Sequence, residues 1–129
     1  MKKVITIMLA ATIFAACQES LEEKCAKEAR MYTQKNCPAR LGDNITMDSM
    51  AFDATTHTLR YYYRLSGVAD SVGAMSADKV KETLLKDLRN TTSMKIYKDA
   101  GYSFGYTYRS ERNPETVLYD VVLTAEDYK

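Results

Sequence analysis

The chain has 129 residues, with 18 basic and 17 acidic side chains, so it is about one domain long and its charges almost cancel. Hydrophobic residues make up 46% and charged residues 27% of the chain, a mix that excludes wholesale disorder. A nearly neutral chain has no electrostatic reason to bind nucleic acid, so we expect no nucleic-acid partner.

The first 16 residues carry the pattern of an export signal. Lys2 and Lys3 form a short basic start, and an uncharged run follows at 4–16. A helix needs ~20 apolar residues to cross a bilayer, so this run is too short for a typical membrane span. It indicates a secretory signal peptide at 1–16, which is removed from the mature protein.

The residues around Cys17 resemble the cleavage site of bacterial lipoproteins, with Phe-Ala-Ala at 14–16 directly before the cysteine. The resemblance implies that the Cys17 thiol is acylated and that residues 17–129 form one envelope domain anchored by lipid. The residue after the cysteine is Gln18 rather than an aspartate, and in this respect the chain resembles lipoproteins that are sent to the outer membrane. Plain secretion and a retained membrane anchor are the alternatives.

The first predicted element of the mature chain is a helix at 21–34. Ser20 and Glu23 have the spacing of a capping box at its start, and apolar residues then recur at helical intervals. Asn36, Pro38 and Gly42 are expected to end it.

Two further cysteines, Cys25 and Cys37, form an even pair in an exported chain, which suggests a disulfide. A continuous helix would separate their Cα atoms by ~18 Å, whereas a disulfide tolerates ~7 Å. The bridge therefore requires the helix to end near Tyr32. The alternative is two separate buried thiols. With His57 as the only histidine, the ligands are too few for a metal site, and we expect no cofactor.

Two strands are expected next, at 45–53 and 58–66, joined by a turn that contains His57. In the second strand, Leu59, Tyr61, Tyr63 and Leu65 alternate with Arg60, Tyr62 and Arg64, so one face is expected to be buried and the other exposed. A flexible connection at 67–75 follows, then a helix from the N-cap Ser76 to about Arg89.

The last expected elements are a short helical piece at 93–100, for which a strand is the alternative, and two strands at 102–110 and 116–124. Tyr102, Phe104, Tyr106 and Tyr108 share one face of the first strand, and Val117, Tyr119, Val121 and Leu123 are expected to point inward from the second. The order α-β-β-α-(α)-β-β, with strands in adjacent pairs, predicts a two-layer α+β fold. Its four-stranded antiparallel sheet would carry the helices on one face.

The exposed face of this sheet is the candidate binding surface. In the expected register, Arg60, Tyr62, Arg64, Thr107 and Arg109 lie near one another, and Tyr and Arg are enriched at interface hot spots. A solvated sheet face explains the same residues. Two short Asp-Ser motifs, at Ser49 and Ser71, resemble O-glycosylation signals of exported Bacteroides-type proteins.

Most of the mature chain resembles a family of small, uncharacterised lipoproteins of Bacteroides-type bacteria. The resemblance lies in YTQKNCP at 32–38, MDSM at 47–50, LRYYY at 59–63, FGYTYRS at 104–110 and EDY at 126–128. It implies a small α+β envelope domain and brings no catalytic residues with it.

The sequence therefore predicts a non-enzymatic, lipid-anchored binding or assembly module that meets a protein partner in the envelope through its sheet face or a strand edge. The chain carries none of the common hydrolase or kinase motifs. The alternative is an inhibitor or immunity-type protein that blocks an envelope enzyme by inserting the loop at 67–75.

Overall fold

The computed structural model describes residues 19–129, so the predicted signal peptide at 1–16 and Cys17 lie outside the described residues. Helices and strands follow one another in an α+β arrangement. They are α1 (Leu21–Asn36), β1 (Ala39–Gly42), β2 (Ile45–Asp53), β3 (Thr58–Leu65), α2 (Ala77–Asn90), α3 (Lys95–Asp99), β4 (Ser103–Ser110), β5 (Val117–Leu123) and α4 (Ala125–Tyr128).

The sheet has five strands in the order β1-β2-β3-β4-β5. The central strands β3 and β4 are parallel, whereas every other neighbouring pair is antiparallel. The predicted four-stranded antiparallel sheet is therefore wrong, although the α+β class is right. The helices α2 and α3 between β3 and β4 bring the chain back to the end where β3 began, and a strand that starts again from that end runs parallel.

The strand that the sequence did not predict is β1. It is only four residues long, and three of those residues are exposed. With so few residues and one partly buried side chain, Ala39, the segment has no alternation that could indicate a strand. It pairs with the start of β2 and forms one edge of the sheet.

The two long helices begin at the serines that the sequence indicated. The Ser20 hydroxyl accepts a hydrogen bond from the Glu23 backbone N–H at 3.1 Å, and the Ser76 hydroxyl accepts one from the Lys79 N–H at 3.2 Å. Each bond satisfies a backbone donor that has no partner inside its helix. Helix α1 is fastened to β2, since the Thr33 hydroxyl accepts from the Met50 N–H at 2.9 Å.

The core lies between the helices and one face of the sheet, and tyrosine rings form its centre. Tyr61 stacks on Tyr106 with ring centroids 5.2 Å apart, and Tyr63 stacks on Tyr108 at 4.7 Å. Phe104 beside them is completely buried. The predicted alternation of β3 and β4 is confirmed, because these rings all face the helices while the arginines face the other way.

Val117 is the exception among the residues expected to point inward. It is 44% exposed. A register shift between Tyr108 and Arg109 places Val117 opposite Arg109, on the outer face, so the alternation predicted for β5 fails at its first residue. None of the helices in the described part of the chain is long and apolar enough to span a membrane.

Candidate functional site

The structure brings the predicted surface residues together on the outer face of the sheet. The register of β3 and β4 pairs Tyr62 with Thr107 and Arg64 with Arg109, and it pairs Arg60 with Gly105. The predicted cluster of Arg60, Tyr62, Arg64 and Arg109 therefore exists as a geometric group. What such a face can bind depends on how many of its charges are free.

Arg60 is held by its neighbours on the same face. Its Nη1 donates to Thr107 Oγ1 at 3.0 Å and to Asp120 Oδ1 at 2.9 Å. A Cβ on Gly105 would lie 2.8 Å from the Arg60 Cζ, so the glycine lets the guanidinium lie close against β4. Gly105 therefore marks a close approach of the Arg60 side chain to the backbone of β4.

The other two arginines of the face also have partners. Arg64 Nη2 lies 3.4 Å from Asp48 Oδ1, and Arg109 Nη1 donates to the Pro114 carbonyl oxygen at 3.4 Å. The cationic groups of this face are thus engaged within the sheet. The pairing favours a solvated surface over a set of free hot-spot arginines.

A second candidate is an apolar groove on the core side of the sheet. It lies where β3 and β4 end, between helix α2 and the loop at 66–75, and has a volume of about 450 Å³. Apolar side chains from all three segments line it, including Val68, Met75, Val80, Leu84, Tyr108 and Tyr119. One carboxylate, that of Asp87, lies in its wall.

The loop wall of the groove exposes apolar side chains to solvent. Val68 and Met75, which line the groove, are 85% and 55% exposed, and Val72, on the same loop but outside the lining, is 81% exposed. Exposed apolar residues gathered beside a groove are typical of interaction sites. Sequence reasoning missed the groove because its walls come from three segments that only the tertiary fold brings together.

This loop is fixed rather than free. Asp70, which is buried, accepts hydrogen bonds from the Arg112 backbone N–H at 3.1 Å and from its Nε at 3.3 Å. At the other end, the Tyr119 hydroxyl accepts from the Met75 N–H at 2.8 Å and donates to the Met75 carbonyl at 2.7 Å. Two contacts therefore hold the loop wall on the β4–β5 hairpin.

The Asp70 contact is expected to make the stability of the protein pH-dependent. Hydrogen bonds from the Ser110 hydroxyl and then from Arg112 hold the pKa of Asp70 below its usual range. An unfolded aspartate titrates at about 3.9, so this stabilisation is complete above that pH. It is lost as the pH falls through the lower folded value.

We therefore expect the unfolding temperature to drop more steeply below about pH 4 in the natural chain than in the Asp70→Asn variant. Thermal unfolding between pH 2 and pH 7 measures this. Asp127, whose pKa is also lowered, supplies a separate acid-sensitive contribution that both proteins share. Equal slopes in the two proteins would contradict a role for Asp70.

Cys25 and Cys37 are free thiols in the structure. Helix α1 runs without interruption from Leu21 to Asn36, so the rise of ~1.5 Å per residue separates the two cysteines by ~18 Å. The chain does not end its helix near Tyr32, as the bridge would require. Burial, together with the nearby Glu28 carboxylate, raises the pKa of Cys25 to about 11.

The two thiols are expected to differ in reactivity, because the thiolate is the reactive form. With iodoacetamide at pH 8, Cys37 should be alkylated in the folded protein, and Cys25 only after unfolding. Peptide mapping by mass spectrometry under non-reducing conditions measures both. A Cys25–Cys37 linked peptide would instead establish the disulfide, and rapid alkylation of both thiols would contradict the burial of Cys25.

The turn between β2 and β3 touches the start of helix α1. His57 Nε2 lies 3.0 Å from Glu22 Oε1, and the imidazole stacks on Tyr102 with ring centroids 5.0 Å apart. His57 is exposed in this turn. Across residues 19–129, no group of three or more His, Cys, Asp or Glu side chains could hold a metal ion.

The fold and the groove define a small α+β domain with an apolar groove beside its sheet. The chain belongs to a protein family described as a domain of unknown function, DUF8479, whose model matches residues 20–119. No curated protein sequence matches the chain.

Three solved structures share the fold. A Pseudomonas aeruginosa protein described as secreted has a TM-score of 0.67 and 12% identity, and the match covers 87% of this chain and 100% of the other. The type II secretion system pilotin AspS of Vibrio cholerae has a TM-score of 0.62 and 17% identity, and the match covers 88% of this chain and 97% of the pilotin. The pilotin EpsS of the Vibrio vulnificus type 2 secretion system has a TM-score of 0.66 and 15% identity, and the match covers 84% of this chain and 92% of the pilotin. At these identities the likeness shows the fold.

Proposed function

We propose that this chain is a lipid-anchored, non-enzymatic protein of the cell envelope that binds a protein partner through its apolar groove. The groove and the exposed Val68 in its wall carry the proposal. Two proteins of the same fold are pilotins of type II secretion systems, which supports a role in the assembly or targeting of an envelope complex.

The energetics of the groove favour an apolar occupant. Fully burying an exposed valine contributes about 1.5–3 kcal/mol, and Val68 and Val72 are both available for this. Asp87 is the one carboxylate of the wall. A partner segment with an apolar face and one basic side chain near Asp87 would match both features.

The position of the groove relative to the anchor supports the same function. The Glu22–His57 contact places the start of α1 beside the N-terminal end of β3, whereas Leu65, at its C-terminal end, lines the groove. A strand of this length spans about 26 Å. A lipid on Cys17 would therefore attach the opposite end of the domain to the outer membrane and leave the groove accessible.

The inhibitor alternative relied on a loop at 67–75 that inserts into the cleft of an enzyme. In the structure, this loop forms one wall of the groove and is tied down at Asp70 and Met75. A loop held against its own domain favours the binding module over an inserting inhibitor.

A photocrosslinking side chain at position 68 of the full chain, in intact cells, tests the groove, because Val68 lines it. We expect it to link to one envelope protein, and the same side chain at position 96 should not. Ile96 is a suitable control because it is an exposed apolar residue, at 48%, that does not line the groove. Equal crosslinking at both positions, or none at position 68, would refute binding at this site.

The anchor is tested separately by the Cys17→Ala variant. Fractionation and intact-mass analysis should show that the natural chain is membrane-bound and carries acyl mass, and that the variant has lost both. A natural chain that is soluble and unacylated would remove the anchor from the proposal.

A further inference from the structure

The two edges of the sheet differ in how well they are protected against another strand. β1 forms one edge, and it is short, follows Pro38 and has a register shift between Arg40 and Gly42. β5 forms the other edge, with seven residues and no proline, lysine or arginine. Short edge strands, prolines, bulges and basic side chains are the usual protections of a sheet edge, and β5 lacks them over most of its length.

The direction of the free backbone groups on β5 follows from the ladder. The Ser103 N–H donates to the His57 carbonyl, just before β3, and the Glu111 N–H donates to the carbonyl of Leu65, the last residue of β3. The odd-numbered residues of β4 therefore face β3. Backbone groups alternate in direction along a strand. Phe104, Tyr106 and Tyr108 consequently face β5.

Their partners on β5 are Leu123, Val121 and Tyr119, which form the hydrogen-bonded pairs with β4. The N–H and C=O groups of Asp120 and Val122 therefore point away from the sheet. Within residues 19–129, no backbone or side-chain hydrogen bond reaches these groups from outside the β4–β5 pair. Val122 is also 40% exposed, so its side chain does not block the edge.

We propose that the free edge of β5 binds an extended strand of a protein partner, which adds to the sheet as a sixth strand. The partner supplies main-chain hydrogen bonds to Asp120 and Val122, and alternating β-branched side chains that pack on the two faces. A basic or hydroxyl side chain opposite Asp120 fits the carboxylate, since like charges across a ladder are destabilising.

A second copy of this chain fits less well than a foreign strand. Two β5 edges paired antiparallel would point the two domains in opposite directions along the strands. The α1 ends of the two domains, which the Glu22–His57 contact fixes at one end of β3, would then lie at opposite ends of the assembly. This argument rests on the proposed lipid anchor, because both anchors must reach one membrane.

The test compares Val122→Pro with Val122→Thr in the full chain in detergent micelles. Proline removes the outward N–H of residue 122 without removing a bond to β4, which edge strands tolerate. Threonine keeps the N–H and the β-branched shape. The probe is an end-blocked Thr-Val-Lys-Val-Thr-Val peptide, used with a copy that is N-methylated at alternate amides.

We expect the unmodified peptide to bind the natural chain and the threonine variant, and to protect the amides of Asp120 and Val122 from hydrogen exchange. The proline variant and the N-methylated peptide should each bind at least tenfold more weakly. No binding to the natural chain would overturn the proposal, as would equal binding of the N-methylated peptide. A dimer that the proline variant abolishes would overturn it in favour of a second copy.

The same measurements separate this inference from the groove. Val68→Asp, which alters the groove wall, should leave peptide binding at β5 unchanged. If the peptide binds while the crosslinker at position 68 captures no partner, the edge proposal stands and the groove proposal is wrong. If peptide binding also falls with Val68→Asp, the peptide occupies the groove, and the edge proposal is wrong.

Discussion

Replacing Phe104 with alanine is expected to lower the free energy of unfolding by about 3–5 kcal/mol. Phe104 is 0% exposed on central strand β4, and its ring meets the edge of Tyr128 with centroids 5.9 Å apart. The substitution leaves a cavity that strands and helices cannot fill without moving together. A loss of this size is a large share of the stability of a small domain.

Urea unfolding followed by tyrosine fluorescence or circular dichroism measures the change. Ile96→Ala is the matched control, because Ile96 is 48% exposed and surface substitutions usually change stability by about 0.5 kcal/mol or less. If Phe104→Ala lowers the free energy of unfolding no more than the control does, the packing of Phe104 on the central strand does not stabilise the core.

The second large effect is expected on binding. Val68→Asp with Val72→Asp should weaken partner association at the groove at least ~30-fold, the effect of losing a hot spot worth about 2 kcal/mol. The carboxylate at position 68 would be buried against an apolar partner surface, and Asp87 in the same wall would add like charge. The carboxylate at position 72 would add further charge on the adjoining loop. Because both valines are more than 80% exposed in the free protein, its own stability should change little.

Binding is measured with the envelope protein that crosslinks at position 68, by titration against the full chain in detergent. Ile96→Asp provides the control for added surface charge away from the groove. Unchanged affinity in the double variant, or equal weakening by Ile96→Asp, would contradict the groove as the binding site.

Local patterns in the sequence predicted the individual elements well. The serine caps, the helical spacing of apolar residues in α1 and the alternation in β3 all depend on neighbours along the chain. Those interactions are visible in the sequence because the residues that cause them are close together. The same holds for the cluster of Arg60, Tyr62 and Arg64, which one strand places on one face.

Features that depend on distant segments were not predicted. The parallel pairing of β3 with β4 depends on which strands become neighbours in the fold. The residues of either strand alone do not indicate that pairing. The groove needs α2, the loop at 66–75 and the ends of the strands in one place. The register shift that exposes Val117 is likewise a property of the pair of strands, since β5 alone alternates regularly.

The parallel central pair also constrains how the chain reaches its native state. β3 ends at Leu65, and its partner β4 begins only at Ser103. The central pair of strands therefore cannot form until a segment that is synthesised much later is present. Until β4 docks, the open side of β3 presents unpaired backbone groups and the apolar side chains of Leu59 and Tyr63, as aggregation-prone intermediates do. Pairing over such a separation slows folding. An exported chain of this design would therefore gain from being kept unfolded until its second half has crossed the membrane.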